Sequence, residues 1–430
     1  MSDSYVSSYS NLFPGHAHQY RRRRNQRQQP RRQIYRASEG QQPDFDQIVE
    51  RENLLAIFDH LRREGGKAPG PDALAYDHFT RGEIARILEV VSESIRRHRY
   101  RPHPTRPVAV PKGNGRFRQL QLPGIVDRVV AKSVAEAVSP TIEAILLPGV
   151  YGFRPNRGIA DMLLAMETMT VEQDRFVWAI DDIAAAFPNV RIADVMADFR
   201  RHFDDENLLW LVEAVLRGHG GQAHQVGLDQ GSALSPVSFN LRAHHGLDLP
   251  LDAAGSGNPV WYRWADNLAH LGRTVSEGHQ ALQRTRELLQ AAGLTLKGED
   301  GPPVNLRRQE AYREILGFRI RHQEDRLRYA LGRRARENLE RSLEELHGQT
   351  DAVQTARQTL RGWIAAYGPA FESELEDDET VTQVLTIAAR KGFRELGSEA
   401  EVRGWLRESG QLWLEERERI LAQSDHGENA

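Results

Sequence analysis

The chain has 430 residues, enough for two or three domains with a sizeable core, and its 57 Lys and Arg against 60 Asp and Glu leave a formal net charge of −3. No cysteine is present, which excludes disulfides, thiolate metal sites and thiol nucleophiles, and no apolar run approaches the roughly 18 residues of a membrane span. The near-neutral total hides a polarised distribution, Arg-rich over 21–36 and acidic over 372–379, so a nucleic-acid partner is not excluded.

Residues 1–40 carry Arg21, Arg22, Arg23, Arg24, Arg27, Arg31, Arg32 and Arg36 with few aliphatics. They read as a disordered arm, either solvated or laid along phosphates. Rich in Arg and Ser and poor in acid, this start has something of an organelle transit peptide but no apolar core of a secretory signal, and the chain reads as cytoplasmic with no membrane partner. From Asp44 the spacing of Ile48, Leu54, Leu55, Ile57, Phe58 and Leu61 predicts a helix, which Gly65-Gly66-Lys67-Ala68-Pro69-Gly70-Pro71-Asp72 breaks. A second helix carries Ile84, Ile87, Leu88, Val90, Val91 and Ile95. Around Lys112-Gly113-Asn114-Gly115-Arg116 the period falls to two, a hairpin with a basic turn. That turn is either a solvated loop or a lid whose Lys112 and Arg118 hold a triphosphate.

A long helix over 125–146 ends at Gly149-Val150-Tyr151-Gly152-Phe153-Arg154-Pro155, and the apolar strand from Phe176 ends in Asp181 and Asp182. Helices over 192–203 and 208–216 precede Gly227-Leu228-Asp229-Gln230-Gly231-Ser232-Ala233-Leu234-Ser235-Pro236, a small-residue loop whose glycine lets backbone approach a substrate. In Val260-Trp261-Tyr262-Arg263-Trp264-Ala265-Asp266-Asn267, with Leu268 and Leu271 beyond, two short strands flank a tight turn with a carboxylate at its tip. Alone, such a turn is punctuation. With Asp182 at a second strand end, two acids can meet at one metal site. A helix over 277–292, a strand pair around Val304 and 315–320, and a mostly helical 331–421 complete the chain.

Two-metal nucleotidyl transfer needs carboxylates to hold two cations about 3.5–4 Å apart, positive groups on the triphosphate and a small-residue loop shaping the base slot. The hairpin, the Asp182 strand, the Gln230 loop and the Asp266 turn supply these parts in order. The same residues resemble the reverse transcriptases of bacterial group II introns and their relatives, from about Asn53 to Tyr367. Gly66-Lys67-Ala68-Pro69-Gly70-Pro71-Asp72 looks like the family's early glycine-proline-aspartate segment. Val110-Pro111-Lys112, Arg118-Gln119-Leu120, Pro123 and Asp127-Arg128 look like its fingers hairpin and following helix. Tyr151-Gly152-Phe153-Arg154-Pro155 is close to its signature of that composition, and Leu360-Arg361-Gly362-Trp363 with Tyr367 looks like its thumb helix.

The resemblance implies an α+β right-hand polymerase fold with fingers, a palm of antiparallel sheet plus helices, and a helical thumb. Fingers and the start of the palm would span 41–170, the palm with the active site 171–325, and thumb and C-terminal helices 326–430. It makes Asp182 and Asp266 the catalytic acids and Asp182, Ile183 (through its carbonyl), Asp266 and Asn267 the metal contacts. Lys112, Arg118, Phe187, Gln230 and Gly231 would bind the nucleotide, Phe187 by excluding a ribose 2′-hydroxyl, while Arg154 and the arm's arginines meet nucleic acid. Departures are plain. Trp264 and Asn267 replace a tyrosine and a second aspartate, so three acids become two unless Asp181 assists, and Asp300 stands in the register of a lysine with Lys297 the nearest cation. An amide ligates a hard cation without the charge that retains it, which favours Mn2+ over the usual Mg2+. The expectation is a free-standing RNA-directed DNA polymerase using dNTPs and an RNA template or noncoding RNA to make DNA. By family habit it acts in antiphage defence, with a second reverse transcriptase or another copy of itself as further partners. The alternative is a catalytically impaired subunit that binds RNA or a partner polymerase.

Overall fold

A computed structural model describes residues 33–427 except Glu39, 114–115, 254–258, 347–351, 373–378 and Glu395, with 111–113, Arg116, Glu379 and 421–427 described by backbone alone. Arg21, Arg22, Arg23 and Arg24 lie outside the described residues. The end of the expected disordered arm is built into the fold instead. Tyr35 donates its N–H to Asn53 Oδ1 at 2.9 Å, Arg36 pairs with Glu136 at 2.6 Å, and Ala37 is buried.

Capping and amphipathic spacing set the first helices. Asp44 caps α1 (Phe45–Val49) by accepting the N–H of Asp46, and α2 (Arg51–Glu64) buries Leu54, Leu55, Ile57 and Phe58. Thr80 and Glu83 form a capping box at α3 (Arg81–Arg96). The hairpin follows as β1 (Arg106–Gly113) and β2 (Arg116–Leu122), with Val110 opposite Arg118. Behind it α4 (Ile125–Ile145) is apolar on most of its circumference and buried accordingly, packing on α2.

A four-stranded antiparallel sheet forms the centre. After α5 (Ile159–Val171) comes β3 (Val177–Asp182), then α6 (Ala186–Asn189), α7 (Ile192–Phe199), α8 (Glu206–Arg217) and α9 (Leu234–Ala243). A π-helical turn at His244–Asp248 and α10 (Leu249–Asp252) lead to β4 (Val260–Trp264) and β5 (Asn267–Gly272), then α11 (Val275–Ala291) and β6 (Val304–Asn305), giving the order β4-β5-β3-β6. Side chains alternate between faces. Trp178, Ile180, Tyr262 and Leu271 cluster with Met162, Leu163 and Met166 of α5, and Trp178 Nε1 donates to Thr170 at 3.0 Å. The opposite face meets α11, where His270 and Thr285 hydrogen-bond at 2.9 Å and burial holds the imidazole's pKa near 4, hence neutral.

Two expectations change here. Val304 does not pair with 315–320; it adds an edge to β3 opposite Trp178. The later strands form their own sheet of β7 (Arg313–Ile315), β8 (Phe318–Gln323) and β9 (Arg326–Leu331), turning through Leu316 and Gly317, both at positive φ. The expected boundary after residue 325 therefore falls inside a hairpin, because β9 alternates buried Leu327, Tyr329 and Leu331 with half-buried Arg326, Arg328 and Ala330 and belongs to the sheet. Among the described residues the α-helices α12 (Arg333–Glu344), α13 (Ala352–Ala366), α14 (Glu379–Arg390) and α15 (Glu399–Gly427) follow. They share one apolar cluster including Leu339, Leu360, Trp363, Val384 and Leu406. The architecture is α+β, with antiparallel sheets and segregated helices. Among the described residues no helix is long and apolar enough to cross a membrane.

Candidate active site

Strand register brings the two predicted acids together. Asp182, the last residue of β3, sits opposite Asn267, the first of β5, and the two-residue turn Ala265-Asp266 links Trp264 to Asn267. The tip of the turn is thus Ala-Asp, and Asn267 is a strand residue. Ile183 donates its N–H to the Asp266 carbonyl at 2.8 Å, fastening the turn beside the end of β3. Burial, and then the negative charge of Asp182, raise the Asp266 carboxyl above the usual range, opposed by the positive charges of Lys297 and Arg118. Asn267 turns its amide nitrogen to Asp266 Oδ1 and the Trp264 carbonyl, each at 3.3 Å.

Asp181 takes no part in this corner. One residue back along a strand it faces the other way, and its carboxylate accepts the N–H of Asp182 at 2.8 Å and of Gly298 at 3.0 Å. Lys297, on the segment so held, places Nζ 2.5 Å from Asp182 Oδ2, and Arg334 of α12 adds a guanidinium nitrogen at 3.3 Å. Arg334 also lies 3.9 Å from Asp300, so the acid in the lysine register holds a cation supplied from 34 positions further along. Neither contact is visible in sequence order.

A second layer fixes the turn. Arg263 of β4 is wholly buried, bidentate to Asp248 at 2.6 and 2.9 Å, and reaches Asn240 Oδ1 at 3.0 Å and the Ala265 carbonyl at 3.1 Å. Asn240 in turn donates to the Gly152 carbonyl at 2.8 Å. A Cβ on Gly152 would stand 2.3 Å from the Ala265 nitrogen, which is why that position is glycine. Arg263 carries a sequence signal of its own, a lone arginine inside an apolar strand. Arg154 corrects an expectation: its side chain is 4% exposed, bonded to Glu143 at 2.6 Å and to the Leu147 and Val150 carbonyls, so it braces the segment and is not offered to nucleic acid.

The hairpin and the glycine loop close over the acids. Arg118 is exposed on β2, near enough for its charge to act on Asp266, while the side chain of Lys112 lies outside the described residues. The Gln121 N–H donates to the Gln230 carbonyl at 2.8 Å, and a Cβ on Gly231, at φ +133°, would meet the Gln121 carbonyl at 2.5 Å. Gln230 Oε1 is buried with no hydrogen-bond partner among the described residues, an acceptor available to a ligand donor. Phe187 is stacked on buried Phe239, ring centroids 5.0 Å apart.

The donor set suits a hard divalent cation. Two carboxylates close enough to repel each other supply its oxygen ligands, and Lys297 and Arg334 balance the charge of Asp182. Among the described residues no group of three or more His, Cys, Asp or Glu is placed to hold a metal ion, and Asp182 and Asp266 are the acids that the strand register brings to this corner.

Residues 110–299 match the family described as reverse transcriptase (RNA-dependent DNA polymerase). Protein YkfC of Escherichia coli (strain K12) is 27% identical over 189 residues, which are 42% of this chain and 49% of that protein. The chain therefore spans about half the length of this curated relative. Among solved structures, that of telomerase from Candida albicans in complex with the TWJ fragment of telomeric RNA is similar at TM-score 0.41 and 10% identity, over 73% of this chain and 62% of that one.

Proposed function

We propose that the chain is an RNA-directed DNA polymerase that adds dNTPs to a DNA strand on an RNA template by two-metal nucleotidyl transfer. The observation that carries this is the juxtaposition of Asp182 and Asp266 at neighbouring strand ends beneath the Arg118 hairpin, inside the segment that matches the reverse transcriptase family. Asp182 and Asp266 would hold Mg2+ or Mn2+, which when bound supplies Lewis-acid stabilisation of charge on the transferring phosphoryl group. Asn267, its nitrogen turned to Asp266, positions that carboxylate more than it ligates. Lys112 and Arg118 bind triphosphate oxygens, and Lys297 and Arg334, the cations on Asp182, would exchange from it to the pyrophosphate portion. Gln230 and Gly231 shape the nucleotide slot, and Phe187 blocks a 2′-hydroxyl, selecting deoxynucleotides.

The test is incorporation of each labelled dNTP by purified protein with its co-purifying RNA, in Mg2+ and then Mn2+. Activity abolished by Asp182→Ala and by Asp266→Ala supports the proposal; no incorporation in any condition, even with a partner polymerase added, sinks it. A second reading, a polymerase-like subunit that binds RNA without chemistry, is favoured by Asn267, Asp300 and the Lys297 contact on Asp182. It expects RNA binding that survives both alanine substitutions with no product. Antiphage defence, alongside a noncoding RNA, a second reverse transcriptase or another copy of the chain, is the biological setting carried over from the resemblance. Loss of phage protection in the Asp182→Ala strain would support it.

A further inference from the structure

The segment through Pro155 leaves one side chain that the chemistry above does not use. Phe153 is 48% exposed, and its backbone stands at φ +62°, in the left-handed region that bulky side chains avoid. Its neighbours impose this conformation. On one side Gly152 is jammed against the Ala265 nitrogen and its carbonyl is held by Asn240; on the other the Arg154 guanidinium is locked among Glu143 and two backbone carbonyls. Between two anchored residues the chain turns left-handed and delivers the Phe153 ring outward.

The ring emerges at the active site. It meets Phe187 edge to face, centroids 5.9 Å apart and planes at 87°, so a column of aromatic rings runs from buried Phe239 through Phe187 to exposed Phe153. The turn that carries Asp266 is one residue from the Ala265 contact. Strain and exposure at the same aromatic residue, beside the reacting groups, mark a side chain held in place for a ligand rather than for the core. The ligand that such a ring takes is planar and apolar on its face while charged elsewhere, which describes a nucleobase.

We propose that Phe153 is a base-stacking residue of the polymerase site, its ring taking the face of the base of the incoming nucleotide or of the primer's terminal nucleotide. The proposal rests on the polymerase reading above. Its test places 2-aminopurine, whose fluorescence stacking quenches, either in a deoxynucleoside triphosphate or at the primer 3′ end, with full-length wild type, Phe153→Trp, Phe153→Leu and Phe153→Gly. Phe153→Trp should keep the quench, whereas Phe153→Leu and Phe153→Gly lose it in one arm and bind that probe about five-fold or more weakly. The arm in which it is lost identifies the nucleotide. Phe153→Gly should also melt at a higher temperature than wild type, because glycine takes the left-handed conformation freely. A fold defect would lower it. Quenching unchanged in both arms for Phe153→Leu and Phe153→Gly overturns the assignment, whatever the melting temperatures. If wild type itself binds neither probe, the polymerase reading fails, and this one with it.

Discussion

Replacing Asn267 by aspartate restores a third acid to the corner and gives a stability signal that can be worked from the structure. The Asn267 amide nitrogen stands 3.3 Å from Asp266 Oδ1. A carboxylate oxygen there would exchange a donor for a like charge, and two unit charges at that separation repel by about 5 kcal/mol at an effective dielectric of 20. Residue 267 is half-buried, so water and salt reduce this to about 2–3 kcal/mol. The introduced carboxyl therefore has a folded pKa above its unfolded one. The penalty is absent below an unfolded pKa of about 3.9 and complete once the pH has risen through the folded value. In urea unfolding at pH 8 with EDTA, Asn267→Asp should lose about 2–3 kcal/mol, recovering most of the difference at pH 4. A divalent cation reverses the sign of the site, so Mg2+ should restore stability at pH 8 and the polymerase metal preference should move towards Mg2+. Equal stability of variant and wild type in EDTA, with identical Mg2+ dependence, would refute the placement of Asn267 against the acids.

Three further outcomes follow from the same geometry. Asp248→Asn strands the buried Arg263 guanidinium and should cost about 3–5 kcal/mol, while the paired replacement Arg263→Met with Asp248→Leu should recover much of this and still lack activity; equal losses in the single and double variants would contradict the account. Gly152→Ala forces a methyl against the Ala265 nitrogen, so a loss of about 1–3 kcal/mol by denaturant midpoint and reduced incorporation are expected, and a wild-type midpoint would count against the contact. Asp266, raised by burial and by Asp182, favours folding when protonated; that contribution is present below its unfolded pKa and lost as pH rises through the folded one. Asp266→Asn should accordingly melt higher than wild type at pH 8 without metal, and not at pH 3.5, while losing all incorporation; a lower melting temperature at pH 8 would reverse the sign of the argument.

Much of the fold and some of the site were legible in local sequence. Alternation and tight-turn residues located β3, β4, β5 and the hairpin, because side-chain direction in a strand depends only on neighbours along the chain. The same alternation separates Asp181 from Asp182, though it took the Gly298 contact to show where Asp181 goes. The partner of Arg154 is not legible locally, because an arginine in a loop has the same local signal whether it meets phosphate or a buried carboxylate; Glu143, in the preceding helix, decides it. The strand at 326–331 is hard to separate from the helical region in sequence, because its six residues carry only two arginines, Arg326 and Arg328, alternating with apolar ones, and a pattern that short is outweighed by the long helical stretch after it.

The order of the chemistry-bearing segments, and with it the pairing of Asp182 with Asp266 as candidates, was determined by the amino-acid sequence alone. What only the tertiary structure decided is how that turn is held and which cations face it: Gly152 under Ala265, Arg263 on Asp248 and Asn240, Lys297 and Arg334 on Asp182. These partners lie from 15 to 152 positions apart. Contacts at such separations are set by how sheet and helices pack and by the desolvation that makes a buried charge seek its counter-charge, neither of which a local pattern encodes.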